Sequence, residues 1–120
     1  TVGLRVPDSD PQNRRLENRL PGADANPYLA IAASLLCGYI GMVEGINPSP
    51  PVKGRGYERR NLRLPLTLEA ALERMENCRE LRKYLSPKFI TGYVAVKRTE
   101  QENYHRVISS WEREFLMLSV

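Results

Sequence analysis

The stretch between Asp24 and Glu44 encloses no charged residue, and it constrains the fold of this sequence more than any other feature. Asn26 is a good N-cap and Pro27 suits the first helical position, so we predict a helix over residues 26–45. An apolar helix of this length either crosses a membrane or is buried on all sides. Its many small residues suit close packing and its flanks lack a Lys or Arg cluster, which favours burial within a larger protein and no membrane contact.

The segment just before this helix, Arg14 to Leu20, has the pattern of a β-strand with a charged face. Because successive side chains of a strand point to opposite faces, Arg15, Glu17 and Arg19 fall on one face. Arginines bind oxyanions bidentately, and a carboxylate can hold a divalent cation beside substrate phosphates. The face therefore suits phosphate and metal chemistry, although the charge pattern alone more often marks a solvated or salt-bridged strand.

Composition sets looser limits. The chain has 120 residues, 42% hydrophobic and 27% charged, which is enough for one modest core and not for two domains. A net charge of +4 permits polyanion binding, but the basic residues are dispersed and aromatic residues make up 8%, so we expect no nucleic-acid partner.

Cys37 and Cys78 form no zinc or disulfide pattern, which indicates a cytoplasmic setting. The chain opens on strand-like residues without a leader, and we expect it to be the end of something longer.

The predicted order of elements is two strands followed by three helices, an α+β arrangement. Residues 2–6 form a strand beside the charged one, and residues 46–66 form a long loop after the first helix. Basic residues around Tyr57 in this loop could touch an anion or nucleic acid, with a solvated loop as the commoner alternative. Thr67 caps the next helix, and two helices fill residues 67–118. The last one carries an apolar stripe that we interpret as packing surface: Tyr104, Val107, Ile108, Trp111, Phe115 and Leu118.

The segment from Arg14 to Leu29, R-R-L-E-N-R-L-P-G-A-D-A-N-P-Y-L, closely resembles the carboxy-terminal part of the glutamine synthetase catalytic domain. The family pattern there is R-R-I-E-x-R-x-P-x-x-x-x-N-P-Y-L, and an Ala-rich helix follows in both. The resemblance covers essentially the whole chain and is most specific through Leu29. It implies an ATP-dependent ligase that forms γ-glutamyl phosphate, uses Mg²⁺ or Mn²⁺, and passes the acyl group to ammonia or an amine. It also implies a large homo-oligomeric ring, similar to a dodecamer.

The same resemblance implies roles for four charged residues in the strands of residues 1–20. Glu17 matches a family metal ligand near the nucleotide phosphates, and Arg19 matches the arginine that contacts glutamate and the transferring phosphoryl group. Arg5 and Arg15 match arginines associated with the ATP phosphates. These roles agree with the strand-face argument, because phosphoryl transfer is catalysed mainly by positioning and by neutralising charge. We therefore expect the charged face to be functional.

Three departures from the family pattern refine this expectation. Gln12 stands where bacterial glutamine synthetases commonly have a Lys, so that nucleotide contact is not expected here. The run Pro21 to Ala25 is similar to the branch of γ-glutamylputrescine and γ-glutamylpolyamine synthetases, which favours a polyamine or similar amine as acceptor, with ammonia as the alternative. Tyr57 lies where some members have an adenylylated tyrosine, but its neighbours differ, and the modification is not expected.

The non-enzyme alternative is a helical interaction module.

Overall fold

The computed structural model describes residues 2–56 and 64–117, and it divides the chain into two compact units, Thr1–Arg63 and Leu64–Val120. Within these described residues, the first unit holds a strand pair and one α-helix, and the second holds four α-helices. The predicted α+β class is confirmed. Tyr57 and the basic residues that follow it in the predicted loop lie outside the described residues.

The strand pair consists of β1 (Leu4–Arg5) and β2 (Glu17–Asn18), which are antiparallel. Leu4 lies opposite Asn18, and Arg5 lies opposite Glu17. Both strands are shorter than the predicted ones, which covered residues 2–6 and 14–20. The predicted connection between them contains a 3₁₀ turn at Pro11–Asn13. The result is a small, exposed strand pair whose register is fixed by a few hydrogen bonds.

A close approach of the two chain segments extends this register beyond the strands themselves. The backbone N–H of Arg19 donates to the carbonyl of Gly3 at 2.8 Å. A Cβ atom at Gly3 would lie 2.6 Å from Cδ2 of Leu20, which is too close for any larger residue without movement of that side chain. Gly3 therefore permits the close approach of the two segments at Arg19 and Leu20, just after β2.

The predicted first helix is confirmed as α1 (Pro27–Val43). Oδ1 of Asn26 accepts from the backbone N–H groups of Tyr28 and Leu29 at 3.0 and 3.3 Å, as expected of an N-cap. At the other end Gly45 has a φ of 62°, and the amides of residues 45 and 46 bond back to carbonyls of the last turn. This is the Schellman arrangement that favours glycine at the helix end.

The surface of α1 is largely exposed in this chain. Tyr28, Leu35 and Met42 are 83%, 70% and 77% exposed, and Ile40 is the buried residue of the helix. The predicted burial inside a larger protein is thus not achieved by these residues alone and stays a prediction. Among the described helices none is long and apolar enough to cross a membrane.

The second unit is built from α2 (Leu68–Asn77), α3 (Arg79–Leu85), α4 (Pro87–His105) and α5 (Ser110–Phe115). The predicted cap is confirmed, since Oγ1 of Thr67 accepts from the backbone N–H of Ala70 at 3.2 Å. Helices α2 and α3 pack against α4 around a core of three buried side chains: Leu72, Ile90 and Val94. This packing gives the unit its stability, because buried apolar area is the main favourable term in folding.

The structure has five α-helices in its described residues where three were predicted, because two predicted helices are each interrupted. Cys78 has an extended backbone with a ψ of 108°, and Nε of Arg82 donates to the carbonyl of Glu76 at 2.7 Å, which satisfies an end of α2. Further along, Ser109 and Glu112 form a capping box that starts α5 as a separate helix. Side-chain hydrogen bonds to the backbone thus override the continuous apolar periodicity.

The predicted apolar stripe of the last helix does not pack onto the core of its unit. Tyr104, Trp111 and Phe115 are 76%, 58% and 54% exposed, and the rings of Trp111 and Phe115 lie 5.5 Å apart. Leu118 lies outside the described residues. The stripe is divided among α4, the connection that holds Val107 and Ile108, and α5, and its role as packing surface stays a prediction.

Candidate active site

The strand pair brings together all four charged residues that the sequence singled out. Oε2 of Glu17 accepts from Arg19 at 2.9 Å and from Arg5 at 3.3 Å. Oε1 of Glu17 accepts from Arg15 at 3.5 Å. Arg15 and Arg19 reach the carboxylate because they lie two residues before and after it on one face, whereas Arg5 reaches it across the ladder. The predicted charged face therefore exists, with Arg5 as its fourth member.

The electrostatics of this cluster favour an ionised carboxylate. The hydrogen bond from Arg19 lowers the pKa of the Glu17 carboxyl, and the positive charges of Arg5 and Arg15 lower it further against a partial desolvation that raises it. Glu17 is also the most enclosed member, with 27% of its side chain exposed against 46% to 61% for the three arginines. The Glu17 carboxyl at the centre of the cluster is therefore negatively charged at neutral pH.

The cluster as a whole carries an excess of positive charge. Three guanidiniums surround one carboxylate, and the described contacts use a single nitrogen of each guanidinium. A guanidinium has five N–H donors in a planar fork, so most donors of Arg5, Arg15 and Arg19 remain available toward solvent. An anion with several oxygens, such as a phosphate, matches this geometry and charge.

A divalent cation fits this site only as part of a larger ligand set. Glu17 supplies one ionised carboxylate, and Mg²⁺ is commonly bound through one or two carboxylates together with substrate phosphates and water. Within the described residues no group of three or more His, Cys, Asp or Glu side chains could hold a metal. The three neighbouring positive charges also oppose a bare cation, so bound phosphate oxygens would be needed to offset them.

The backbone around the cluster is held by polar contacts that sequence reasoning missed. Nδ2 of Asn18 donates to Oγ of Ser34 in α1 at 2.8 Å, and Oδ1 of Asn18 accepts from the backbone N–H of Leu20 at 3.1 Å. The available signal was the position of Ser34, a small hydroxyl within an otherwise apolar helix. The hydroxyl of such a serine normally forms a hydrogen bond.

The remaining positions considered in the sequence lie apart from the cluster. Gln12 is within the 3₁₀ turn that joins the strands, and its side chain is exposed. Lys53 and Arg55 of the predicted loop are exposed, and no contact joins either to Glu17 in the described part of the chain. The structure therefore assembles the strand residues, and the described loop residues Lys53 and Arg55 do not contact Glu17.

Comparison with known proteins assigns the sequence of this chain to a family. Residues 1–116 match the family described as glutamine synthetase, catalytic domain. This chain belongs to that family. The matched residues include the whole strand pair, α1 and most of the second unit.

Individual relatives of this glutamine synthetase family member have names that describe different products. The chain is 36% identical to a γ-glutamylputrescine synthetase of Escherichia coli, over 98% of this chain and 25% of the relative. It is 36% identical to a glutamate–isopropylamine ligase of a Pseudomonas species, over 93% of this chain and 25% of the relative. It is 29% identical to a glutamine synthetase of Methanosarcina mazei, over 91% of this chain and 26% of the relative. The chain thus spans about a quarter of the length of these relatives.

The first two matches agree with the branch that the run from Pro21 to Ala25 indicated. Both relatives are named for joining glutamate to an amine, whereas the third is named for glutamine synthesis. The roles of Arg5, Arg15, Glu17 and Arg19 are tested by none of these similarities and stay predictions.

Proposed function

We propose that this chain forms part of an ATP-dependent glutamate–amine ligase that acts through γ-glutamyl phosphate. A polyamine or similar amine is the proposed acceptor, and the parent protein is proposed to be a cytoplasmic homo-oligomeric ring. Membership of the glutamine synthetase family and the names of the two amine-ligating relatives support this proposal. The observation that carries it is the convergence of Arg5, Arg15 and Arg19 on the ionised Glu17.

Each member of the cluster has a proposed role that follows from its charge. Arg5 and Arg15 bind the phosphates of ATP, and Arg19 contacts glutamate and the transferring phosphoryl group. Phosphoryl transfer spreads negative charge over equatorial oxygens, and preorganised cations stabilise that charge without reorganisation during the reaction. A strand pair places the three guanidiniums side by side, which is the arrangement such a task requires.

Glu17 is proposed to hold one Mg²⁺ or Mn²⁺ ion, with further ligands contributed from outside the described residues. When bound, the ion would neutralise phosphate charge and orient the nucleotide. Before the ion binds, the three arginines favour the ionised form of the Glu17 carboxylate, which can then bind a cation together with phosphates. Metal and ATP are therefore expected to bind cooperatively at this face.

The exposed surface of α1 supports the view that more protein completes the domain. A helix with Tyr28, Leu35 and Met42 largely exposed presents a continuous apolar surface that isolated soluble proteins seldom leave open. Since the chain spans a quarter of its relatives, the rest of a catalytic domain is the proposed cover. Light scattering on the isolated chain should show self-association, and a sharp monomer with cooperative melting would contradict this.

The function is tested by phosphate release from ATP in the complete enzyme, with glutamate and each of ammonia, putrescine and a monoamine. We expect release that depends on glutamate and is greater with an amine than with ammonia. Preference for ammonia would favour the second candidate, a glutamine synthetase, which the Methanosarcina mazei relative supports. Release without dependence on glutamate would reject both candidates.

The isolated chain of residues 1–120 serves as the matched negative control. It should show no ligase activity, because one carboxylate and three arginines do not complete a site that needs several more ligands. Glutamate- and amine-dependent phosphate release from the isolated chain would contradict this. If the complete protein bound phosphate without turnover, the non-catalytic interaction module would become the better interpretation.

A further inference from the structure

Asn18 lies between two of the proposed active-site residues, and its side chain ties β2 to α1. Nδ2 donates to Oγ of Ser34 at 2.8 Å, while Oδ1 accepts from the backbone N–H of Leu20 at 3.1 Å. Both ends of the amide are engaged, so the rotation of the side chain is fixed. Because side chains alternate along a strand, fixing Asn18 on one face also fixes the direction in which Glu17 and Arg19 leave the other.

The partner in α1 is equally constrained. Oγ of Ser34 donates its single hydrogen to the carbonyl of Ala30 at 2.7 Å, which leaves the oxygen to accept from Asn18. Ser34 is also the only Ser, Thr, Asn or Gln in α1, so the helix offers Asn18 no alternative side-chain amide or aliphatic hydroxyl. The hydrogen-bond chain therefore has one direction, from β2 through Ser34 into the helix backbone.

This tether matters because the strand pair is minimal. Each strand has two residues and both are largely exposed, and an isolated two-stranded pair is at best marginally stable in water. The hydrogen bond between Asn18 and Ser34 joins this pair to a capped helix of 17 residues. The longer helix α1 thereby supports the short strand β2, which carries the charged face.

We propose that Asn18 and Ser34 are positioning residues that hold β2 in the orientation required for Glu17 and Arg19 to act together. The inference rests on the proposed ligase function, and it assigns Asn18 and Ser34 no direct contact with substrate or metal. A displacement of about 1 Å at a catalytic group can lower turnover by about a hundredfold, so a tether of this kind is expected to affect rate more than stability.

The test uses the complete enzyme with the variants Ser34→Ala, Ser34→Thr, Asn18→Leu and the double variant Asn18→Leu with Ser34→Ala. Ser34→Ala removes the acceptor and should lower kcat about tenfold. Ser34→Thr keeps the hydroxyl and should retain most of the turnover. The double variant should be no slower than the worse single variant, since the hydrogen bond is already lost in each.

Thr99→Ala is the matched control for loss of a helical hydroxyl. Oγ1 of Thr99 donates to the carbonyl of Ala95 at 3.0 Å, which is the same backbone contact that Ser34 makes, but it lies in α4 of the second unit. Turnover by Thr99→Ala should match the parent enzyme. Equal losses in Thr99→Ala and Ser34→Ala would mean a general effect on helices, and the inference would be overturned.

Hydrogen exchange of the segment 14–20 gives a readout that does not depend on ligase activity. The amides of Arg19 and Leu20 are both bonded in the structure, to Gly3 and to the side chain of Asn18, so Ser34→Ala should accelerate their exchange. Faster exchange with unchanged turnover would make the pair merely structural and overturn the inference, as would unchanged exchange and turnover. A parent enzyme without ligase activity would instead reject the proposed function.

Discussion

Two clusters of arginine and carboxylate, one in each unit, have opposite stoichiometry. In the first unit three guanidiniums surround the single carboxylate of Glu17. In the second unit the single guanidinium of Arg98 lies between Glu69 and Glu76, at 2.7 and 2.8 Å. The first cluster has two more positive than negative charges (three against one), and the second has one more negative than positive (two against one).

The difference separates the proposed binding site from a structural clamp. All three nitrogens of Arg98 donate to carboxylates on α2, which fastens α2 to α4 beside the buried core. Such a guanidinium has little capacity left for a ligand. Each arginine around Glu17 gives one nitrogen to the carboxylate and keeps the others, so the first cluster can still bind an anion. The number of guanidinium donors left without a carboxylate partner therefore distinguishes the two clusters better than the number of ion pairs does.

The largest expected effect comes from removing Arg19 from the first cluster. In the complete enzyme Arg19→Ala should lower kcat by about 10³, because arginines that neutralise a transferring phosphoryl group contribute on that scale. Added metal should not restore the rate, since a metal ion does not reproduce the fork of the guanidinium. Initial rates are measured at saturating ATP and glutamate over a series of Mg²⁺ concentrations.

Arg14→Ala is the matched control for Arg19→Ala. Arg14 lies beside Arg15 in the same segment, but its guanidinium is not among the described partners of Glu17. Its loss removes the same charge without touching the cluster and should change kcat less than about threefold. Equal losses in the two variants would mean that general electrostatic attraction, and not the proposed contact, explains the effect.

The next effect concerns the carboxylate. Glu17→Gln keeps the shape of the side chain but removes the negative charge, so turnover should fall by roughly 10² at low Mg²⁺. Higher Mg²⁺ or Mn²⁺ should restore part of it, because the defect is in affinity for the cation. A metal titration of the rate decides the matter, and rescue as poor as that of Arg19→Ala would show that Glu17 orients the arginines and does not bind metal.

The sequence pattern predicted three members of the first cluster because their information is local, whereas Arg5, which reaches Glu17 across the ladder, was indicated only by the family resemblance. Alternation along one strand places Arg15, Glu17 and Arg19 together, and the capping residues Asn26 and Pro27 specify the start of α1 without reference to the rest of the fold. Both signals depend on a few neighbouring residues. They could therefore be read without knowing the tertiary structure.

The second cluster and the helix breaks were not predicted, for the complementary reason. Arg98 is separated from Glu69 by 29 positions and from Glu76 by 22, and no periodic pattern links them before α2 and α4 are packed. The break at Cys78 depends on Arg82 reaching a backbone carbonyl, which competes with the apolar period of three and four. The tether between Asn18 and Ser34 is likewise non-local.

A smaller effect sharpens the structural side of the comparison. Arg98→Met keeps an aliphatic stem of similar length but removes the clamp, so the thermal midpoint should fall by a few degrees while turnover changes less than about twofold. Lys97→Met is the matched control, since the ion pair of Lys97 with Glu100 lies within α4 and joins no second element. Calorimetry that showed equal shifts for both variants would mean that the clamp contributes no more than an ordinary exposed pair.

The smallest effect is the dependence of this clamp on pH. The hydrogen bond from Arg98 lowers the pKa of the Glu69 carboxyl below its ordinary value of 4.5. A carboxyl whose pKa is lower in the folded state contributes stability above the unfolded value, and this is lost as the pH falls through the folded value. The difference in thermal midpoint between the parent enzyme and Arg98→Met should therefore be constant near neutral pH and shrink toward zero below pH 4.5. A difference that persists in acid would show that the Arg98 stem stabilises the unit by packing and that its charge adds little.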